Sequence, residues 1–153
     1  MKDAGLEAAF RATTYRVDTG TEVFDLRIGQ PNLAFDVFLS GRRVSSWAVV
    51  TACNPGAVRS DADNVLRQAQ LRDQLRARGW SYCLACNVAD AGNWPDEPGY
   101  LVLQISEPAA RILAAAFDQR ACVCGVTGSV PRLVWIGPHP DLPQSVPDQA
   151  SGR

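Results

Sequence analysis

The sequence has one histidine, His139, and one lysine, Lys2, and they lie near opposite ends of the chain. A Ser-His-Asp triad or a Cys-His dyad therefore cannot be assembled from the central part of the sequence. The glycine-rich nucleotide-binding motifs, the Gly-x-Ser-x-Gly motif of the α/β-hydrolases and a His-x-x-x-His metal pair are also missing. Any general acid or base must therefore be a carboxylate, a cysteine or a tyrosine.

The chain also lacks an excess of charge and long apolar runs. Its formal net charge is −1 over 153 residues, and no apolar run approaches the roughly 20 residues of a membrane-spanning helix. The arginines of one predicted helix, at 67, 72, 76 and 78, form no single stripe, so we predict no nucleic-acid partner and no membrane partner. Because no basic segment leads into an apolar one after Met1, we predict no secretory signal and expect a cytoplasmic location.

The five cysteines are an odd number, which favours reduced thiols over a set of disulfides. Cys83 and Cys86, followed by Cys122 and Cys124, have spacings that could indicate zinc. However, Cys83 and Cys86 lie in a predicted strand, where residues three apart point to opposite faces. We therefore predict small buried side chains, no metal site and no cofactor. Cys53 is likewise interpreted as a packing residue.

Apolar spacing, capping residues and turn residues predict an alternation of helices and strands. The segment 33–40 is ambiguous, and a helix capped by Asn32 and ended by Gly41 is favoured over a strand. The other predicted elements are helices over 3–13, from Ser60 to Gly79 and from Ser106, and strands at 23–28, 46–52, 80–87, 100–105, 121–126 and 132–136.

This order of elements predicts a single α+β domain over residues 1–136. Its sheet should be mixed or largely antiparallel, with helices packed mainly on one face. Residues 137–153 contain four prolines and few apolar side chains, and they predict a flexible tail.

Polar residues are concentrated where these predicted elements end. The apolar run from Ala48 stops at Asn54-Pro55-Gly56, a strong turn signal directly before the most clearly patterned helix. If the sheet brings the element ends together, they would offer a hydroxyl, amides, a carboxylate and a helix N-terminus to a small polar or anionic ligand. The candidate ligand-binding residues are Thr51, Asn54, Arg59, Ser60, Asn64, Glu97 and Gln119.

A structural role is open for each of these residues. Asn54 could cap its own turn, and Ser60 could serve only as the N-cap of its helix. Glu97 could pair with Arg59, and Gln119 could close the end of the helix before it.

The same polar positions belong to a recognisable sequence pattern. It resembles that of a bacterial family of uncharacterised small proteins, the domain-of-unknown-function family numbered 3293, over about residues 15–135. The matching motifs are Trp47-Ala48-x-x-Thr51-Ala52-x-Asn54-Pro55, then Ser60 and Asn64, then Trp94-Pro-x-Glu97-Pro, then Phe117-Asp118-Gln119.

The resemblance implies that Thr51, Asn54, Asn64, Glu97 and Gln119 are the characteristic polar positions of the family. It implies no activity. The cysteines are not part of the pattern, and Asp118 stands where the family often has glycine.

The sequence thus predicts a domain that binds a small polar or anionic ligand, and it leaves open whether the protein is an enzyme. The alternative is a protein–protein interaction module without a small-molecule site. That alternative is motivated by the long loop around Trp94 and by the proline-rich tail.

Overall fold

The structure, a computed structural model, describes residues 3–55 and 57–137. In this part of the chain four helices alternate with seven strands. They are α1 (Ala4–Arg11), β1 (Thr13–Asp18), β2 (Val23–Leu26), α2 (Leu33–Gly41), β3 (Ser46–Val50), α3 (Asp61–Ala77), β4 (Tyr82–Ala89), β5 (Glu97–Leu103), α4 (Glu107–Ala116), β6 (Ala121–Val126) and β7 (Arg132–Trp135).

The strands form one sheet in the order β2-β1-β4-β5-β3-β6-β7, which curls into a half-barrel. Every neighbouring pair in it is antiparallel. Hairpins connect β1 to β2, β4 to β5 and β6 to β7, whereas β3 is inserted between β5 and β6. The predicted α+β class is therefore confirmed.

The central strands β3, β5 and β6 are buried on both faces, because their side chains alternate between two cores. Ala48 and Val50 of β3 face a core that includes residues of α3 and α4. Trp47 and Val49 face a second core that includes Phe35 of α2, with Phe10 of α1 packed against it. The expectation that helices pack mainly on one face is therefore wrong. A strand buried on both sides reads as a continuous apolar run, and such a run does not reveal which helices cover it.

Local capping explains where the helices begin. The Ser60 hydroxyl accepts the Asp63 N–H at 3.1 Å, and the Ser106 hydroxyl accepts that of Ala109 at 3.2 Å. Asn32 accepts the Phe35 N–H at 3.0 Å, so the helical interpretation of the ambiguous segment is confirmed. These bonds satisfy backbone donors that have no partner inside the helix.

Several boundaries differ from the sequence prediction, and two of the differences change the description of the sheet. The sequence predicts that the first helix ends at Thr13, but Thr13 begins β1, a strand that the sequence pattern does not predict. Strand β5 starts at Glu97 and so includes Pro98 and Gly99, which were interpreted as loop residues. Glycine is required there because a Cβ at Gly99 would lie 2.6 Å from the carbonyl oxygen of Val50 on the neighbouring strand.

The predicted tail lies outside the described residues except for its first residue, Gly137, and His139 lies outside them too. Gly56 of the predicted turn is also not described. Among the described residues no helix combines the length and apolar character required to cross a membrane.

Gly125 lies opposite Trp47 in the β3–β6 register, and a Cβ at this position would lie 2.4 Å from the indole Cζ2. We expect Gly125→Ala to lower the free energy of unfolding by about 1–3 kcal/mol, because the buried indole would have to move. Denaturant unfolding would measure this loss. Gly41→Ala is the control, since open space surrounds Gly41 at the end of α2 and its stability should be unchanged or slightly raised. Equal stabilities of the two variants would contradict the packing described for Trp47.

Candidate functional site

The segment that follows β3 is fixed to the beginning of β5 through Thr51. Its hydroxyl donates to the carbonyl oxygen of Pro98 at 2.7 Å and accepts the Cys53 N–H at 3.1 Å. The Cys53 side chain is buried, and its Sγ lies 3.6 Å from the same Pro98 oxygen. Burial raises the pKa of the Cys53 thiol. A buried neutral thiol in this position supports its interpretation as a packing residue rather than a nucleophile.

Asn54 is the centre of a hydrogen-bond network that joins three elements. Its φ is 48°, a left-handed conformation in which asparagine is among the better tolerated residues, and only 6% of it is exposed. Its side-chain oxygen accepts the Arg59 N–H at 2.8 Å and Asn64 Nδ2 at 2.7 Å, while its backbone N–H donates to Asn64 Oδ1 at 2.9 Å. Its Nδ2 donates to Glu97 Oε2 at 2.9 Å. Asn54 therefore caps its own turn and also holds Glu97.

Glu97 accepts a second hydrogen bond on the same oxygen, from Trp94 Nε1 at 2.7 Å. Its other oxygen, Oε1, makes no hydrogen bond with the described residues. Burial raises the pKa of Glu97, although the bonds from Trp94 and Asn54 oppose that shift by favouring the carboxylate. The side chain is thus anchored by one oxygen and offers the other as an acceptor.

Gln119 connects the end of α4 to the segment after β3. Its Nε2 donates to the carbonyl oxygen of Cys53 at 3.2 Å and to that of Phe117 at 3.3 Å. Arg67 of α3 reinforces this connection by donating to the carbonyl oxygens of Ala52 at 2.7 Å and Phe117 at 2.6 Å. The predicted role of Gln119 in closing a helix end is confirmed by these bonds.

Asp118, which stands where the family often has glycine, has a φ of 59°. Glycine adopts this left-handed conformation most readily, and aspartate is one of the residues that tolerate it. Asp118 therefore makes a left-handed turn directly after α4.

A cavity of about 590 Å³ lies between α1 and the end of the sheet that contains these residues. Four of the seven predicted site residues line it, namely Thr51, Asn54, Glu97 and Gln119. Its apolar lining comes from α1 and from the middle of the sheet, and it includes Leu6, Phe10, Val49 and Val123.

The other three predicted residues, Arg59, Ser60 and Asn64, do not line this cavity. Ser60 is the N-cap of α3, and Asn64 supports Asn54 from behind. Arg59 Nη1 lies 3.5 Å from Asp63 Oδ2, and Arg59 does not pair with Glu97. The structural alternative in which Glu97 pairs with Arg59 is therefore wrong. The helix N-terminus expected beside the ligand belongs to α3 and is not part of the cavity wall.

Three further residues of the cavity were not selected from the sequence as ligand-binding residues, namely Tyr15, Asn87 and Trp94. Tyr15 lies opposite Asn87 in the β1–β4 register, and Asn87 lies opposite Glu97 in the β4–β5 register. Side chains of such cross-strand pairs share one face. If the two predicted strands on either side of the Trp94 loop are paired as a hairpin, Asn87 lies close to Glu97. The sequence therefore contains a signal for Asn87.

The cysteines show no metal-binding arrangement within the described residues, where no three His, Cys, Asp or Glu side chains form a cluster suited to a metal. Cys122 Sγ and Cys124 Sγ lie 3.8 Å apart on the face of β6 that packs against the α4 side. Both thiols are buried in that core.

Asn54→Ala should lower the free energy of unfolding by about 2–4 kcal/mol, because it strains the left-handed backbone and leaves several partners without hydrogen bonds. Denaturant unfolding with Asn93→Ala as the control would test this. Asn93 is exposed, also lines the cavity and makes no side-chain hydrogen bond with the described residues, so its variant should retain wild-type stability. A loss for Asn54→Ala no larger than that of the control would refute the central role of Asn54.

Comparison with known proteins agrees with the motifs. A family model described as "Protein of unknown function (DUF3293)" matches residues 50–122. This segment runs from the end of β3 into β6 and contains all seven predicted site residues, although it is shorter than the 15–135 expected from the motifs. No curated protein and no solved structure matches the chain. Residues 50–122 are therefore similar to the domain-of-unknown-function family 3293, the same family that the sequence pattern resembles.

Proposed function

We propose that this protein binds a small polar molecule in the cavity between α1 and the sheet, with Glu97 as the principal polar contact. The observation that carries the proposal is the convergence of Thr51, Asn54, Glu97 and Gln119, which come from separate parts of the chain, on one cavity. Its volume of about 590 Å³ lies within the range of small-molecule sites.

Glu97 gives the cavity a specific chemistry. The bonds from Trp94 and Asn54 fix the orientation of its carboxyl group, so that the remaining oxygen is held in place before a ligand arrives. That oxygen can accept a hydrogen bond from a hydroxyl or amino group. It can also take a proton, so the same geometry suits a general base if the protein proves to be an enzyme.

A ligand with hydrogen-bond donors is favoured over an anionic one. The acidic side chains that line the cavity are Asp3 and Glu97, and the basic one is Arg120, which is exposed. An anionic group near Glu97 would meet a carboxylate, and the N-terminus of α3 does not compensate for it because α3 is not in the wall.

The alternative of a protein interaction module receives less support. Trp94 is 41% exposed, but its indole N–H is already committed to Glu97, so this loop residue is explained as part of the cavity rim. The proline-rich tail that also motivated the alternative lies outside the described residues.

Glu97→Gln is the sharpest test of binding, because it keeps the shape and the acceptor for Trp94 and Asn54 but can place an amide donor where the ligand needs an acceptor. A thermal-shift screen with nucleosides, sugars, amino-acid amides and free amines should yield ligands that stabilise the wild type, and Glu97→Gln should weaken their binding at least about tenfold. Glu22→Gln, an exposed change outside the cavity, should leave binding unchanged. Ligands that bind wild type and Glu97→Gln equally would overturn the assignment of this site.

The raised pKa of Glu97 also predicts a pH dependence of stability. A carboxyl group whose pKa is higher in the folded state than in the unfolded state favours folding at low pH, and this contribution is lost as the pH rises through the folded pKa. The wild type should therefore lose stability relative to Glu97→Gln on going from below the ordinary glutamate pKa to neutral pH. Chemical denaturation of both proteins over this interval measures the difference. A difference that shifts in favour of the wild type would show that the folded protein stabilises the carboxylate.

A further inference from the structure

Two polar groups in the cavity wall lack partners in the described part of the chain. One is the oxygen Oε1 of Glu97, and the other is the side-chain amide of Asn87. The Asn87 Oδ1 atom is enclosed by protein and accepts no hydrogen bond. Buried polar groups almost always have partners, so an enclosed amide without one calls for an explanation.

The two groups are neighbours on the sheet. Asn87 and Glu97 are a registered pair of β4 and β5, and the Cβ atoms of such a pair are about 5 Å apart. On the other side of Asn87 lies Tyr15 of β1, so Tyr15, Asn87 and Glu97 form a row of neighbouring residues across three strands. The Tyr15 hydroxyl donates to the carbonyl oxygen of Phe10 at 2.8 Å, so its proton is not available to Asn87 or Glu97. The row therefore presents acceptors to the cavity.

The carboxyl group of Glu97 also has no cationic partner among the described residues. Its two hydrogen bonds come from a neutral indole and a neutral amide. Nearby arginines are engaged elsewhere, since Arg59 pairs with Asp63, Arg67 with Asp118 and Arg27 with Asp90. A carboxylate at the wall of a largely apolar cavity attracts a cation strongly, because little water screens the interaction.

A primary ammonium group matches these requirements. It carries one positive charge for Glu97 and three donors, which can serve Glu97 Oε1 and, after a rotation of the Asn87 amide that turns its oxygen toward the cavity, Asn87 Oδ1. The rest of the cavity accommodates an apolar substituent, because Leu6, Phe10, Val49 and Val123 form the wall away from this row. Arg120 is the basic residue of the cavity lining, and its side chain is exposed. An anionic group of a ligand would therefore bind at the solvent-exposed part of the cavity.

We propose that the ligand is a primary amine with an apolar substituent and that its ammonium group binds between Glu97 and Asn87. This inference rests on the proposed binding function and adds the charge and shape of the ligand. It also assigns Asn87 as a ligand-binding residue.

The test is isothermal titration calorimetry near neutral pH with three matched series of probes. The amines are 2-phenylethylamine and hexylamine, the alcohols are 2-phenylethanol and 1-hexanol, and the acids are 3-phenylpropanoate and hexanoate. The amines should bind at least about tenfold more tightly than the alcohols of the same shape, because only they carry charge to Glu97. Glu97→Gln should weaken the amines more than the alcohols, because the amines lose an ionic contact and the alcohols lose only a hydrogen bond.

Asn87 provides an independent arm of the experiment. Asn87→Leu should weaken amine binding about threefold to tenfold by removing an acceptor, and Asn87→Asp should strengthen it by adding a second carboxylate. Gln70→Glu adds the same charge at an exposed residue outside the cavity and should change amine affinity little. If Asn87→Asp is less stable than the wild type, the rise of its melting temperature on adding 2-phenylethylamine, compared with the rise for the wild type, provides the same comparison.

The outcomes separate this inference from the proposed function. Binding of the alcohols or acids that equals or exceeds that of the amines would overturn the inference and leave the binding function standing. Amine binding that is unaffected by Asn87→Leu and equally affected by Asn87→Asp and Gln70→Glu would remove Asn87 from the site. Failure of the amines overturns the inference, and failure of all three series together with the broader screen overturns the binding function as well.

Discussion

The hydrogen bonds of Asn54 are the interaction on which the rest of the site depends. The residue follows a strand that is buried on both faces, where the chain must leave the sheet and turn toward α3. A left-handed residue makes that turn short, and an asparagine there can use both ends of its amide. The oxygen binds the backbone of Arg59 and the side chain of Asn64, and the nitrogen reaches across to Glu97 on β5. One side chain thus sets the positions of the turn, the start of α3 and the carboxylate together.

Because of this arrangement, the structural roles of these residues cannot be separated from the ligand-binding roles that we propose for them. Thr51, Asn54 and Gln119 each make hydrogen bonds that hold the fold, and each also lines the cavity. A binding site is more specific when its polar groups are fixed beforehand, and these bonds fix them. Glu97 differs because only one of its oxygens accepts hydrogen bonds from the described residues. Its carboxyl group is partly buried and has no arginine partner among them, so no positive charge balances it.

Several elements could be predicted because their signals are local. Asn32, Ser60 and Ser106 each bind a backbone donor three residues later, and such caps are visible in the sequence. Strand β1 was missed because its first residue still resembles the end of a helix. The Thr13 hydroxyl bonds to the carbonyl oxygen of Ala9 as a helical threonine would, whereas its backbone pairs with Ala89 in the sheet. The pairing that decides between these states comes from a residue far along the chain.

The sequence alone determined the α+β class and the helix starts, because residue type and spacing along the chain carry that information. It also identified four polar residues of the cavity lining as candidates, namely Thr51, Asn54, Glu97 and Gln119. It did not determine the coverage of both sheet faces or the exclusion of Arg59 and Ser60 from the cavity, since an apolar strand gives no record of its partners. Only the antiparallel register placed Asn87 between Tyr15 and Glu97. Strand register is a long-range property, because it depends on which distant segments pair. It brings polar residues from the ends of several elements to one cavity, with the acceptors of neighbouring strands side by side.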